Sequence, residues 1–420
     1  MGGTVGCDVF RPPRMGCPRA GEPEEQSKGG RLMKRVKRLI VLSLSLGLVL
    51  GGVFAGGSAT AETIKIGMVQ PLTGFASFGG NTLLNGARMA VEVINAKGGI
   101  HGKKLELVPE DGGCLPPKSV NAAEKLIVRD KVSILLGAYC SSSSGAVKPV
   151  TARYHVPQVT GVSTSAKLTR EATDWFFRAQ GTSALYGPAI TPVMRKMGLK
   201  RVAFLVINDD WGRGVATEFG GAFKALGGKV VETMIFDRKE KDLTPYLTKA
   251  RSVGADSIVT ACYTPHCIAI AKGSKEVGLK ATLLGEGAWT TAPFYRGAGK
   301  AGDGVYGFVE WVHTLDNAMN RAFVKKYKGR HKENPTKYSS AGHTLVNIVA
   351  QAIKRAGSAD RKAIRDALEK TNYDSLVGNI QFTSNTAKPF SHQAYGFDYF
   401  MTKNVAGEPK VLRTVRIHKP

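Results

Sequence analysis

Val202-Ala203-Phe204-Leu205-Val206-Ile207 is the most continuous strand signal in the chain. A run that is apolar at every position, rich in β-branched and aromatic residues, belongs to a strand buried on both faces, as in a parallel sheet. The spacing after it predicts a helix over 213–226, a strand at 229–236, a helix at 243–253, a strand at 256–260, a helix at 266–277 and a strand at 281–285. Strands separated by helices of this length are βαβ units. The same rhythm runs upstream. A strand from Ile64 to Val69 precedes a helix over 82–96, whose Leu83, Leu84, Ala87, Ala90, Val91 and Ile94 share one face. Strands at 105–108 and 133–137, helices at 118–129 and 142–154, and an edge strand at 156–159 follow. Two such series predict an α/β protein of two doubly wound parallel-sheet lobes. Beyond 310 come helices at 316–328, 339–356 and 360–370, then strand-like pieces at 378–382, 395–401 and 410–417. Each lobe is therefore expected to take two chain segments, 62–182 with 311–393 and 183–310 with 394–420, joined by hinge strands near 182, 310 and 394.

The 420 residues carry 43% hydrophobic residues, which fits two or three folded domains and excludes a disordered chain. One long uncharged apolar stretch excludes a many-span membrane protein. It follows the basic Met33-Lys34-Arg35-Val36-Lys37-Arg38, runs through the apolar 39–50 and closes at Ala59-Thr60-Ala61 before Glu62. A basic start, a short apolar run and a small-residue exit describe a signal peptide over 33–61, cleaved after Ala61. Residues 1–32, in front of a complete signal peptide, read as an over-extended gene start. Export to the periplasm follows. The net charge of +26 then loses meaning as a sign of nucleic acid, because the positives are spread over helix faces such as Lys325-Lys326 and Lys354-Arg355. No nucleic-acid partner is expected.

Export also changes the cysteines. Cys7 and Cys17 precede the leader, which leaves Cys114, Cys140, Cys262 and Cys267. An even number in an oxidising compartment points to bridges. A Cys114–Cys140 bridge would contribute roughly 3–4 kcal/mol on the chain-entropy argument. Cys262 and Cys267 read either as free buried thiols or as a short-loop disulfide. With His266 between them a metal site lacks a fourth ligand, so no metal is expected.

Catalytic motifs are scarce. Gly302-x-Gly304-x-x-Gly307 has the letters of a dinucleotide fingerprint, but it precedes a strand where the fingerprint must follow one, so it reads as a turn. No Walker loop, His-Glu-x-x-His or Gly-x-Ser-x-Gly occurs. An amide hydrolase built on the serine run at 141–144 would need a base, and His155, the nearest histidine in sequence, has no evident orienting acid. Neither an enzyme nor a cofactor is expected. The informative residues lie at strand ends, where open α/β sheets bind ligands. Cys140-Ser141-Ser142-Ser143-Ser144 and Gly161-Val162-Ser163-Thr164 offer hydroxyls and free N–H groups that suit a carboxylate or a phosphate. Asp210-Trp211-Gly212 and Cys262-Tyr263 bring aromatics, and Glu286, between Gly285 and Gly287, reads as an exposed acceptor. An anion end, an acidic residue and an aromatic lining together describe an amino-acid pocket.

These segments carry a resemblance. Ile64-Lys65-Ile66-Gly67, Pro71-Leu72-Thr73-Gly74, Asn85-Gly86-Ala87-Arg88 and Asn95-Ala96-Lys97-Gly98-Gly99-Ile100-His101-Gly102-Lys103 resemble the start of the leucine/isoleucine/valine-binding proteins, with the densest likeness from Cys114 to Ser144. These are substrate-binding components of ABC transporters with the type I periplasmic binding fold. The resemblance implies a Cys114–Cys140 disulfide. It also implies that Ser141 and Thr164 hold a ligand carboxylate, with Cys140 beside them, and that Thr164 and the Ser163 carbonyl face the ammonium. Glu286 would neutralise that ammonium. Phe78 and Tyr338 from the first lobe, and Tyr263 from the second, would line the side-chain pocket. Trp211 stands where the family commonly has tyrosine, and Trp289 lies just past the acidic site, which leaves room for an aromatic or another amino acid. The implied function is capture of an amino acid by a monomer and its delivery to an inner-membrane ABC permease and its ATPase. A sensor on the same fold, or a binder of amides, urea or aromatic acids, is the alternative.

Overall fold

The structure, a computed structural model, describes residues 63–170 and 174–420. The expected gene start at 1–32, the signal peptide at 33–61 and Cys7 and Cys17 lie outside the described residues. Among the described residues no helix is long and apolar enough to cross a membrane.

The first sheet is parallel throughout. Its strands are β1 (Ile64–Gln70), β2 (Leu105–Asp111), β3 (Ile134–Gly137), β4 (Gln158–Thr160) and β5 (Phe176–Arg178), in the order β2-β1-β3-β4-β5. The order reverses between β1 and β3, which opens a crevice at the carboxyl ends of those strands. Helices α1 (Ser77–Ala96), α2 (Pro116–Glu124), α3 (Ser141–Arg153) and the single turn α4 (Lys167–Arg170) connect them. The strand expected at the edge is internal. β4 lies between β3 and β5 and is buried at every position. The three-residue β5 is too short to announce itself in the sequence, so its neighbour read as an edge.

The second sheet repeats that order. After α5 (Ser183–Lys196) come β6 (Arg201–Ile207), α6 (Asp210–Ala225), β7 (Lys229–Phe236), α7 (Thr244–Ser252), β8 (Ser257–Cys262), α8 (Thr264–Glu276), β9 (Thr282–Gly287), α9 (Ala292–Ala298) and β10 (Tyr306–Val309). The parallel part runs β7-β6-β8-β9-β10. Val202 to Ile207 are buried at every position, as an apolar run between two paired neighbours requires. The Gly302-x-Gly304-x-x-Gly307 stretch leads into β10 rather than out of a strand. It is a turn.

Helices α10 (Ala318–His331), α11 (Lys337–Ala356) and α12 (Arg361–Glu369) follow, and α11 packs along α1. The approach is close because both helices have glycine at the crossing. A Cβ on Gly86 would stand 1.9 Å from the Ser339 carbonyl oxygen, and one on Gly342 would stand 2.0 Å from that of Leu83. The chain then enters β11 (Asn372–Ser375), β12 (Gly378–Phe382), β13 (Ala394–Val405) and β14 (Glu408–Ile417). β13 runs antiparallel beside β10 and pairs with both β12 and β14. The β11–β12 hairpin, expected within the first lobe, thus extends the second sheet. Strand pairing decides this, and the local pattern of 372–382 cannot express it. The hairpin still touches the first sheet through Phe382, whose ring lies 5.3 Å from that of Phe177.

Candidate functional site

The carboxyl ends of both sheets face one cavity. It is lined by Cys140, Ser141, Thr164, Trp211, Tyr263, Glu286 and Tyr338, seven of the nine residues expected at the site, and by Tyr139, Val162, Gly287 and Lys337.

On the first-sheet side, β3 ends into α3. Cys140 is the N-cap, in extended conformation, and Ser141 opens the helix. The serine run is built into the fold: Ser141, Ser143 and Ser144 are buried. The Ser144 hydroxyl donates to the Ala138 carbonyl at 2.8 Å, and the Ser141 hydroxyl accepts from the Ser165 amide at 3.2 Å. Free N–H groups at a helix start and hydroxyls around them suit a carboxylate. His155 lies past the far end of α3, which at about 1.5 Å per residue separates it from Ser141 by roughly 20 Å. That spacing removes it as a base for the serines.

Two expected residues lie behind the wall. The Ser163 hydroxyl sits 3.1 Å from the Ala138 carbonyl and 3.0 Å from that of Tyr139, and the Ser163 carbonyl accepts from Arg178 at 3.3 Å. Its polar groups are engaged within the first lobe. Phe78 packs at the margin of the core instead of lining the cavity. The phenylalanine that meets the second lobe is Phe75, edge-on to Tyr263 at 4.9 Å.

Arg178 is fully buried among neutral acceptors, with the Ser165 carbonyl at 2.6 Å and the Gln393 amide oxygen at 2.7 Å. Burial pushes its pKa down to about 9, so it stays cationic at neutral pH. It ties the 163–165 turn to Gln393, just before β13.

From the second sheet, Trp211 comes with the first turn of α6. The helix is capped by Asp209, whose carboxylate accepts from the Gly212 amide at 2.8 Å. Burial lifts the Asp209 pKa to about 6. Tyr263 caps α8 and places its hydroxyl 3.3 Å from Asp209 and 3.1 Å from Cys140 Sγ.

Glu286 corrects an expectation. It is not an exposed acceptor in a turn but part of β9, with 3% of its surface accessible. Its flanking glycines are there because β8 runs so near. A Cβ on Gly285 or on Gly287 would stand 2.3 Å from the carbonyl oxygen of Thr260 or of Cys262, respectively. The carboxylate accepts from Trp211 Nε1 at 2.9 Å, from the Thr164 hydroxyl at 3.3 Å and from the Tyr399 hydroxyl at 3.1 Å. All three donors are neutral. Burial holds its pKa above the ordinary carboxylate value, against the attraction of Lys337 and the Trp211 hydrogen bond.

Lys337 and its partner were not read from the sequence. Lys337 opens α11, and its ammonium lies 3.4 Å from Glu310. Burial would lower its pKa, but Glu310 and Glu286 outweigh that and hold it above the usual lysine value. Glu310 also accepts from the Tyr186 hydroxyl at 3.0 Å, and Tyr186 stacks on Tyr399 at 3.8 Å. One signal was available: a cation in the first turn of a helix opposes the helix dipole and calls for an acidic partner. Tyr139 was legible as well, since it directly precedes Cys140 at the same strand end.

Cys114 and Cys140 are bridged, as are Cys262 and Cys267, with Cα separations of 5.5 and 5.4 Å. The second bridge occupies both thiols of the cysteine–histidine cluster, and His266 Nε2 faces the Arg238 carbonyl at 3.1 Å. Among the described residues no group of three or more His, Cys, Asp or Glu gathers to hold a metal.

Residues 63–400 match the family described as periplasmic binding protein. The chain belongs to that family. Its members are binding proteins, not enzymes. A Leucine-, isoleucine-, valine-, threonine-, and alanine-binding protein of Pseudomonas aeruginosa is 27% identical over 330 residues, 78% of this chain and 88% of that one. The substrate binding protein LivJ of a branched-chain amino acid transporter from Streptococcus pneumoniae, solved with isoleucine, superposes with a TM-score of 0.76 at 25% identity. It covers 86% of this chain and 100% of its own. An R. palustris solute binding protein of an ABC transporter, solved with benzoate, has a TM-score of 0.76 at 22% identity, covering 84% of this chain and 96% of its own. The two-lobed α/β architecture is that of the type I periplasmic binding proteins.

Proposed function

We propose that this protein captures an amino acid between its lobes outside the cytoplasm and delivers it to an ABC permease and its ATPase. The observation that carries the reading is the buried Glu286 carboxylate held by neutral donors, facing across the cavity a helix start rich in hydroxyls. An ionised carboxylate out of water is costly unless a cation meets it. The ammonium of an amino acid supplies that cation, and its carboxylate suits the start of α3 with Ser141 and Thr164. Cys140, Trp211, Tyr263 and Tyr338 enclose the rest. Support comes from the relatives, which are periplasmic substrate-binding proteins for branched-chain and small amino acids.

The division into lobes at 62–182 with 311–393 and 183–310 with 394–420 gives the motion its parts, with the 372–382 hairpin moving on the second sheet. The ligand docks on the first lobe, and hinge closure brings Trp211, Tyr263 and Glu286 onto it. The protein acts as a monomer after removal of its leader. A thermal-shift screen against amino acids, amides and aromatic acids tests the reading, because a ligand of the native state raises the melting temperature by mass action. Amino acids raising it is the expected result. A response to aromatic acids or amides alone contradicts the role given to Glu286.

A further inference from the structure

A second cavity adjoins the first and shares Val162, Lys337 and Tyr338 with it. Its other walls are largely apolar, with Ala341 and Leu345 from α11, Val377 from the turn between β11 and β12, and Phe397 of β13. Two polar atoms in these walls are buried without a hydrogen-bond partner. They are the side-chain amide nitrogen of Gln180 and the hydroxyl of Thr344, on residues 7% and 3% accessible. Leaving such groups unpaired is costly. Both belong to the same cavity, which makes it a place where a guest with a polar group gains more than a purely apolar one.

We propose that this second cavity is a side-chain chamber of the binding site, and that the ligand is an amino acid with an apolar side chain longer than leucine's, ending in a hydrogen-bonding group that meets Gln180 and Thr344. The inference rests on the amino-acid reading above, which fixes the ligand's ammonium at Glu286. Lys337 and Tyr338 stand at the partition. The ammonium of Lys337 lies 5.6 Å from the centre of the Tyr338 ring and is held by Glu310 on the chamber side. Rotation of these two long side chains joins the cavities, and the Glu310 pairing keeps the lysine charge compensated as it moves. A branched-chain ligand fills the first cavity and leaves the chamber's polar atoms unmet. An aromatic side chain with a terminal hydroxyl spans both.

Calorimetry on the purified protein with L-leucine, L-phenylalanine and L-tyrosine decides it. Tyrosine is expected to bind about tenfold more tightly than either of the others, the scale of one net hydrogen bond. Thr344→Val should lower the tyrosine-to-phenylalanine affinity ratio several-fold, and Thr344→Ser should restore it. Ala341→Leu, which fills the chamber, should lower the tyrosine-to-leucine ratio by about tenfold. Thermal unfolding of each variant reports that it is folded. Equal affinities for the three probes, or a tyrosine preference untouched by both Thr344→Val and Ala341→Leu, overturns the chamber while leaving the amino-acid reading in place. Failure of all three probes to bind overturns the chamber, and overturns the amino-acid reading as well if no other amino acid raises the melting temperature.

Discussion

Thr164, beyond the end of β4 in the first sheet, and Glu286, in β9 of the second, meet through a 3.3 Å hydrogen bond across the cavity. The same hydroxyl accepts from Ser183 at 3.3 Å, so Thr164 links the second-lobe carboxylate to the first turn of α5. An incoming ammonium would take the Glu286 oxygen that Thr164 and Trp211 now share. On the proposed reading, binding exchanges one set of hydrogen bonds for another, and selectivity follows from the charge the ligand brings.

Trp211 tests the geometry around that carboxylate. Its indole N–H is 2.9 Å from Glu286, and its ring meets Tyr263 edge-on at 5.2 Å. Trp211→Phe keeps an aromatic wall but removes the donor. Because the ammonium must displace that donor, affinity for an amino acid should rise by about 0.5–1.5 kcal/mol, the net worth of one hydrogen bond no longer given up on binding. Calorimetry beside wild type measures it.

Asp209 predicts a pH dependence. Its pKa rises from 3.8 to about 6 on burial, so between those values the folded state binds more protons than the unfolded one. Stability should therefore fall as pH rises through that window. A shift of that size corresponds to about 3 kcal/mol. Asp209→Asn keeps an N-cap side chain for α6 and should flatten the slope, as read by urea unfolding from pH 4 to pH 7. Glu286 acts in the same direction in the ligand-free protein, because burial raises its pKa too. Amino-acid affinity should in turn rise with pH as Glu286 ionises.

The crossing of α1 and α11 predicts that bulk is refused there. Gly86→Ala puts a methyl group against the Ser339 backbone, where no side-chain rotation relieves the contact. The helices must separate, at a cost of about 1–3 kcal/mol or more. Thermal and urea unfolding should show the loss, and an unchanged midpoint would contradict the close approach.

Removing the Cys114–Cys140 bridge by the double change Cys114→Ser and Cys140→Ser should cost roughly 3–4 kcal/mol of stability in urea. Cys140 lines the cavity, so ligand affinity should weaken as well.

The repeated strand–helix rhythm made both parallel sheets legible, because a fully buried strand such as Val202–Ile207 declares itself by composition alone. The strand ends carrying Ser141, Thr164, Trp211, Tyr263 and Glu286 were legible for the same reason, since sheet topology dictates where a crevice opens. What failed depended on distant pairing. β5 is three residues long, and without it β4 read as an edge. Glu286 read as exposed because its glycines resemble a turn, whereas their cause is the nearness of the β8 backbone. Lys337 looks like any helix lysine until Glu310, 27 residues earlier, is found beside it. Phe75 rather than Phe78 reaches Tyr263, a choice set by where α1 begins.

The central claim is that Glu286 receives the ammonium of an amino acid. Isothermal calorimetry of wild type and Glu286→Gln against amino acids identified by the thermal-shift screen tests it most directly. The account predicts a loss on the order of 3–5 kcal/mol in the variant, the cost of breaking a buried charge pair, with the variant folded. Unchanged amino-acid affinity in Glu286→Gln would contradict it.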